Sequence, residues 1–259
     1  QTFSKKGSYE YQDLEYPDDC IVDFDMRLID LFKEIDKKKL TLKMQIRQEY
    51  YRVKELLDGK RPSRMDLFTY MDDDIYRICV SGSHAKENPF QHYLDFLYEL
   101  GELSEDEQEL YAGIGREFIQ TIETTEMQKV YKMPILYSFY NHGNIRLAVT
   151  DEEVLESWKE FFDTGTNWKD FPNVNTYEDY KKVTDKQHLS KAKRMPITRL
   201  KMSGKGFFVE KDGYALALRH EIEDVVGNMA FGEQMGDVLG YRSLEYYRRR
   251  YKKNRSEGD

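Results

Sequence analysis

The sequence predicts a mainly α-helical protein with a small β component, in which a helical array is followed by a winged-helix-like subdomain with a β-hairpin. Apolar residues recur at helical spacing through most of residues 21–125. Beyond residue 132, alternating apolar residues and an Asp-Gly turn are typical of strands. We therefore expect an irregular segment at residues 1–20, the helical array at 21–125 and the winged-helix-like, basic subdomain at 126–255.

The helical array is expected to contain five amphipathic helices. Their apolar stripes occupy residues 21–35, 42–57, 68–78, 90–97 and 110–122. A Ser followed three residues later by an acid forms a capping-box pattern at Ser63 and at Ser104, and each pattern predicts a helix start. Asn88 followed by Pro89 predicts another helix start, and Gly101 predicts the end of that helix.

The winged-helix-like subdomain mixes helix and strand patterns. The expected elements are a short helix at 134–139, a strand at 145–149, a helix at 151–162, a hairpin at 206–218 and helices at 220–253. Thr150 and Glu153 form a capping box ahead of the second helix, and the hairpin turn is expected at Asp212. Residues 164–187 are polar and predict a loop, with one weak helix at most near 177–182.

Composition and cysteine usage indicate a cytoplasmic protein. Charged residues make up 34% of the 259 residues and the mean hydropathy is -0.80. No run approaches the roughly 18 to 20 apolar residues of a membrane-spanning helix, so no membrane contact is expected. The two cysteines, Cys20 and Cys79, belong to no metal-binding pattern, which favours a reducing compartment. The chain begins at Gln1 without a signal-peptide pattern, which is compatible with a fragment of a longer protein.

Charge is distributed unevenly along the chain, whose formal net charge is -8. Residues 1–130 contain 18 Lys and Arg against 28 Asp and Glu, whereas residues 131–259 contain 22 against 20. Two segments of the second half are strongly basic, and a basic surface is typical of proteins that contact phosphates. The candidate nucleic-acid contacts in these segments are Lys191, Lys193, Arg194, Lys201, Lys205, Arg242, Arg248, Arg249, Arg250, Lys252 and Lys253. The alternative is that both segments are solvated faces, with the tyrosines of the tail packed inward.

No catalytic residue, metal site or cofactor site is predicted. The YMDD string at residues 70–73 matches a motif of reverse-transcriptase palms, in which paired carboxylates at a hairpin turn hold metal ions. In this chain the apolar residues around the string recur at helical spacing, so a polymerase site is not expected there. Asp23 and Asp25 are expected in the first turn of a helix, where acids favour the helix dipole. The five histidines lack ligand spacing, and neither GxxxxGK[ST] nor GxGxxG occurs.

Five strings together resemble a known family. They are IVDFDMRLIDLF (21–32), RPSRMDLF (61–68), NPFQHYLDFL (88–97), IETTEMQKVYKMPIL (122–136) and GYRSLEYYRRRY (240–251). In this order they resemble the C-terminal accessory region of bacterial superfamily 2 DEAD/DEAH-box helicases, some of them type III restriction subunits. The chain has no Walker A, DEAD/DEAH or arginine-finger motif, so no motor residue is assigned. The resemblance implies that ATPase and helicase activity belongs to motor domains outside this sequence.

Three functional hypotheses follow from the sequence. The first is a non-catalytic accessory module of a DNA helicase, or of a helicase-like restriction or defence protein, with the basic segments on the DNA backbone. The second is a protein-protein interaction module that docks on the motor domains or on a partner subunit through aromatic surfaces. The third is a metal-dependent nuclease whose acids are scattered along the chain.

Overall fold

The structure is a computed structural model that describes residues 40–256, with side chains as far as Tyr251. The chain divides into Gln1–Thr41 and the compact unit Leu42–Asp259. The predictions for residues 1–20 and for a helix at 21–35, together with Cys20, lie outside the described residues. Within the described part the fold is mainly α with a small three-stranded sheet, as the sequence predicted.

The first half of the compact unit is helical, as expected. Its helices are α1 (Leu42–Leu56), α2 (Arg64–Tyr70), α3 (Asp73–Cys79), α4 (Tyr93–Leu100), α5 (Glu105–Ala112) and α6 (Ile114–Thr124). Ser63 and Ser104 cap α2 and α5 in the capping boxes that the sequence predicted. The YMDD string belongs to a helix start, because the Asp72 carboxylate accepts hydrogen bonds from the backbone N–H groups of Asp74 and Ile75 at the beginning of α3.

The prediction of a helix start at Asn88 and Pro89 was wrong. The helix α4 begins four residues later, at Tyr93. The buried Asn88 side chain instead accepts a hydrogen bond from the Phe90 N–H at 2.9 Å. Such a local side-chain turn competes with helical hydrogen bonding and delays the helix.

The second half contains helices on a small sheet. Its elements are α7 (Lys132–Tyr140), β1 (Ala148–Val149), α8 (Asp151–Asp163), α9 (Tyr177–Lys181), α10 (Asp185–Ala192), α11 (Thr198–Ser203), β2 (Phe208–Val209), β3 (Leu216–Leu218), α12 (Glu223–Val226) and α13 (Met229–Ser256). A π-helical turn, Lys193–Ile197, connects α10 to α11 and contains Pro196. Thr150 caps α8 in the expected capping box.

The antiparallel sheet has the strand order β1–β3–β2. Its register pairs Ala148 with Ala217 and Phe208 with Leu218. The hairpin between β2 and β3 turns at Gly213, whose φ of 82° favours glycine. From α7 to β3 the elements are a helix, a strand, four α-helices and two strands, and the mainly α fold with its small sheet agrees with the predicted fold class.

The prediction of a loop over residues 164–187 missed the start of α10. Thr184 and Gln187 form a further capping box, in which the Thr184 N–H donates to the Gln187 side chain at 2.8 Å. From Asp185 the chain remains helical, through the π turn, as far as Ser203. The Thr-x-x-Gln pattern was the signal, but the high Lys and Arg content of the segment and Pro196 obscured its helical periodicity.

Two apolar clusters form the core of the compact unit. One lies among the first helices and includes Tyr50, Leu67 and Phe90, and the larger one includes Phe118 and Trp158. The helix α13 contributes to both, since its Tyr241 belongs to the first cluster and its Phe231 to the second. This long helix therefore packs along both halves of the unit. No helix in the described range is both long and apolar enough to cross a membrane.

Candidate nucleic-acid interface

The helical run at residues 185–203, which we call the basic helix, presents its cations outward. His188, Ala192, Ile197 and Leu200 form its buried side. The run packs through α10 on α8 and through the π turn on α7. Since one side is buried at helical spacing, the polar residues between these positions face solvent.

Positive charge dominates the basic helix and the hairpin that follows it. Residues 185–219 contain nine Lys and Arg against three Asp and Glu. Among residues 40–251, no carboxylate forms an ion pair with any of six cations of this region. These six are Lys186, Lys191, Arg194, Arg199, Lys205 and Lys211. The ammonium of Lys191 lies 5.2 Å from the centre of the Tyr131 ring, a cation-π contact.

Two further lysines of the basic helix are paired with acids. Lys193 Nζ lies 2.6 Å from a carboxylate oxygen of Asp151 at the start of α8. Lys201 pairs with Glu210 on the hairpin, and the hydrogen bond from Lys201 holds the pKa of that carboxyl below its usual range. Both pairs are partly exposed to solvent. Because exposed ion pairs contribute little free energy, a phosphate can compete for these lysines.

The hairpin is held close to the end of the basic helix. A Cβ on Gly204 would lie 2.5 Å from the Leu200 carbonyl oxygen and would also overlap the Phe208 ring. The next residue, Lys205, is exposed and has a φ of 50°. At the turn, the ammonium of Lys211 lies 4.9 Å from the centre of the exposed Tyr214 ring. Helix and hairpin therefore present their cations from one closely packed frame.

A groove of about 710 Å³ runs between the basic helix and the segment that precedes it. We call it the basic groove. It is lined by Phe171, Pro172, Asn173, Val174, Asp179, Lys182, Val183, Lys186, Gln187, Ser190, Lys191 and Arg194. Four of these side chains are basic and one is acidic. The acid, Asp179, accepts a hydrogen bond from the Thr176 hydroxyl and lies 3.6 Å from Lys182, which together lower the pKa of its carboxyl. The balance of charge favours an anionic ligand such as a phosphodiester backbone.

The predicted contacts on α13 lie in other surroundings. Arg242 is buried and donates to the Thr125 carbonyl oxygen. Arg248 pairs with Asp73 and covers the Tyr76 ring, at 4.6 Å from the ring centre. Within α13, the Arg249 guanidinium lies 2.5 Å from Glu245. The structure therefore does not bring these three arginines together with the basic helix.

Arg250 on α13 is connected to the basic helix through a short chain of contacts. It pairs with Asp170. The carbonyl oxygen of Asp170 accepts a hydrogen bond from the Tyr131 hydroxyl at 2.7 Å, and the same Tyr131 ring lies beneath Lys191. The side chains of Lys252 and Lys253 are outside the described set.

Several basic residues of the interface were not among the candidates from sequence. They are Lys182, Lys186, Arg199 and Lys211. The capping box at Thr184 could have identified Lys186, because a helix from Asp185 places it about two turns from the candidate Arg194 on one side.

The part of the chain that the structure describes contains no group of three or more His, Cys, Asp or Glu side chains arranged to hold a metal ion. No protein-family model, curated protein or solved structure matches the chain.

Proposed function

We propose that the chain is a non-catalytic accessory module of a DNA helicase or of a helicase-like restriction or defence protein, and that the basic helix and hairpin contact the nucleic-acid backbone. The main supporting observation is the basic helix itself. It occupies the position before the hairpin and exposes cations that have no acid partner in the described structure. The helicase context rests on the sequence resemblance alone.

The proposed contact is electrostatic and does not depend on base sequence. Lys and Arg side chains that replace counterions on phosphates supply most of such binding energy. Since the whole chain has a net charge of -8, its acidic surfaces repel a polyanion and restrict binding to the basic face. In helix-turn-helix proteins the second helix of the motif enters the major groove. The basic helix comes after α8 in the chain, with the short helix α9 between them.

The test is a fluorescence-anisotropy titration of the full chain with labelled duplex and single-stranded oligonucleotides over a salt series. If the six unpaired cations each contact one phosphate of a duplex, the logarithm of the binding constant should fall with log salt with a slope of about -5.4. No measurable affinity for either oligonucleotide at low salt would refute the proposal.

A charge-reversal pair locates the contact. Arg194→Glu with Arg199→Glu should abolish binding at moderate salt, because each change removes a cation and adds a repulsive charge. The matched control is Lys60→Glu with Lys86→Glu, which reverses two exposed lysines that form no ion pair in the described structure and lie outside the basic helix. Equal loss in both variants would indicate a general charge effect and contradict the assignment to the basic helix.

A docking role for the same helix is the second candidate function. Met195 and Met202 are exposed on it, Met202 by 72%, and exposed methionines are typical of adaptable protein-binding surfaces. Under this alternative, Met195→Ser with Met202→Ser abolishes binding to the helicase motor domains that the resemblance implies, while the arginine reversals have little effect. A sedimentation assay with those motor domains, run beside the anisotropy titration, separates the two functions.

A further inference from the structure

A second cleft, of about 490 Å³, lies between α13 and the residues that follow α6. We call it the polar cleft. It is lined by Val80, Asn88, Gln91, Thr124, Thr125, Glu126, Met127, Gln128, Tyr241, Arg242, Glu245 and Arg249. Its volume is in the range of small-molecule sites. Its lining includes three amide side chains and both signs of charge.

Two buried side chains of the polar cleft each have one atom without a hydrogen-bond partner in the described structure. Arg242 is 9% exposed and its Nε is unpartnered, and Glu245 is 8% exposed and its Oε2 is unpartnered. Another atom of each group is engaged, because Arg242 Nη2 donates to the Thr125 carbonyl and Glu245 Oε1 lies 2.5 Å from Arg249 Nε. Buried polar atoms in folded proteins nearly always have partners, so this pair indicates a ligand.

The two unpartnered atoms restrict the chemistry of that ligand. Arg242 Nε–H requires an acceptor, and Glu245 Oε2 requires a donor. A simple anion would be repelled by Glu245 and Glu126, and a simple cation by Arg242 and Arg249. A planar neutral group with an acceptor beside an N–H donor satisfies both atoms, and this is the pattern on the edge of a nucleobase.

The polar cleft is connected to the end of the basic helix through Thr125. On the cleft side, the Thr125 carbonyl accepts the hydrogen bond from Arg242. On the other side, Lys132 Nζ donates to Thr125 Oγ1 at 2.9 Å and to Ser203 Oγ at 3.3 Å. Ser203 is the last residue of the basic helix, so the two hydrogen bonds of Lys132 connect the end of that helix to a residue that lines the cleft.

We propose that the polar cleft receives one unpaired nucleobase of a strand whose phosphates lie on the basic helix, with Arg242 Nε–H donating to the base and Glu245 Oε2 accepting from it. This inference rests on the proposed function for its ligand. It makes the module a reader of single-stranded or frayed nucleic acid, since a base within a duplex stack has its pairing edge occupied.

The experiment compares two strands of equal length, one with bases and one abasic, together with the four free nucleosides, against the full chain. The variants are Arg242→Lys, which removes Nε but keeps a positive charge within reach of the Thr125 carbonyl, and Glu245→Gln, which replaces the free acceptor with a donor. Glu55→Gln, at an exposed position of α1, is the matched control. Thermal melting verifies that each variant is folded.

The wild-type chain should bind at least one nucleoside and should prefer the strand with bases by about tenfold, the effect of one hydrogen bond to a charged group. Both cleft variants should lose this preference and keep the affinity for the abasic strand. Equal affinity of the wild-type chain for the two strands, with no nucleoside bound, overturns the inference and leaves backbone binding intact. Nucleoside binding without any strand binding refutes the proposed function instead. If a cleft variant does not fold, the wild-type nucleoside titration decides alone.

Discussion

The buried arginine Arg64 allows a sharp test of how the helices of the compact unit are held together. Its side chain is fully buried and its Nε and Nη2 donate to one oxygen of Glu123, the first of them at 3.0 Å. Its Nη1 also donates to Gln234 at 2.6 Å and to Asp237 at 2.8 Å, both on α13. One guanidinium thus connects α2, α6 and α13.

We predict that Arg64→Met lowers the free energy of unfolding by about 3–5 kcal/mol, the cost of breaking a buried ion pair. In the variant, the Asp237 carboxylate still accepts the hydrogen bond from the backbone N–H of residue 64, which is 3.0 Å long. The loss of stability therefore comes mainly from the Glu123 carboxylate, which loses its cation. That carboxylate is 2% exposed and would retain one hydrogen bond, from the Tyr93 N–H at 3.2 Å. A loss of this size is a large part of the roughly 5–15 kcal/mol that stabilises a typical domain.

The measurement is urea unfolding followed by the fluorescence of the buried Trp158. The control is Arg77→Met, because Arg77 pairs with Asp74 on the surface, where both side chains are more than half exposed and the pair contributes little. A second change, Glu123→Met in the Arg64→Met background, should recover most of the stability, since it removes the unpaired buried charge. If Arg64→Met costs no more than Arg77→Met, the reasoning fails.

The pH dependence of the same variant has a definite sign. Burial raises the pKa of Glu123, and the guanidinium of Arg64 opposes that rise. Without Arg64 the pKa rises further, so the folded state binds more protons than the unfolded state above about pH 4.3. Stability then falls as pH increases, and the cost of Arg64→Met should be larger at pH 8 than at pH 5.

Three further predictions concern single residues. Burial raises the pKa of the Cys79 thiol to about 12. In a Cys20→Ser variant, Cys79 should therefore react with a thiol reagent only as the protein unfolds. Rapid labelling of the native protein would contradict the burial of Cys79. Burial lowers the pKa of the His188 imidazole in the folded protein. The free energy of unfolding should therefore decrease as pH falls below about 6.5, because there the imidazole takes up a proton more readily in the unfolded chain. In urea unfolding, His188→Phe should remove this part of the pH dependence. Gly204→Ala should lower the free energy of unfolding by about 1–3 kcal/mol and weaken oligonucleotide binding, because its Cβ would overlap the Phe208 ring of the hairpin and lie 2.5 Å from the Leu200 carbonyl oxygen. Unchanged melting would show that helix and hairpin can separate without cost.

Several elements of the second half could be predicted because their signals are local. The capping box at Thr150, the strand pattern ending at Val149 and the turn at Gly213 each depend on a few neighbouring residues. The helix start at Tyr93 was missed because the Asn88 side chain accepts a hydrogen bond from the nearby Phe90 backbone N–H and forms a turn. The Asn-Pro pattern is compatible with such a turn as well as with a helix start. The basic helix was missed because its exposed positions are rich in Lys and Arg. Only a narrow stripe of buried residues recurs at helical spacing, which makes the helical pattern weak in the sequence.

The sequence by itself determined most of the capped helices and the hairpin, and it identified the two basic segments, because propensity, capping and charge are properties of neighbouring residues. Only the tertiary structure decided which cations remain available. Arg248 meets Asp73, a residue 175 positions away, and Arg242 turns inward to Thr125 across 117 positions, whereas Arg194 and Arg199 meet no acid among the described residues. Ion pairs and burial are long-range contacts that the packing of α13 creates, and no spacing within a basic run encodes them.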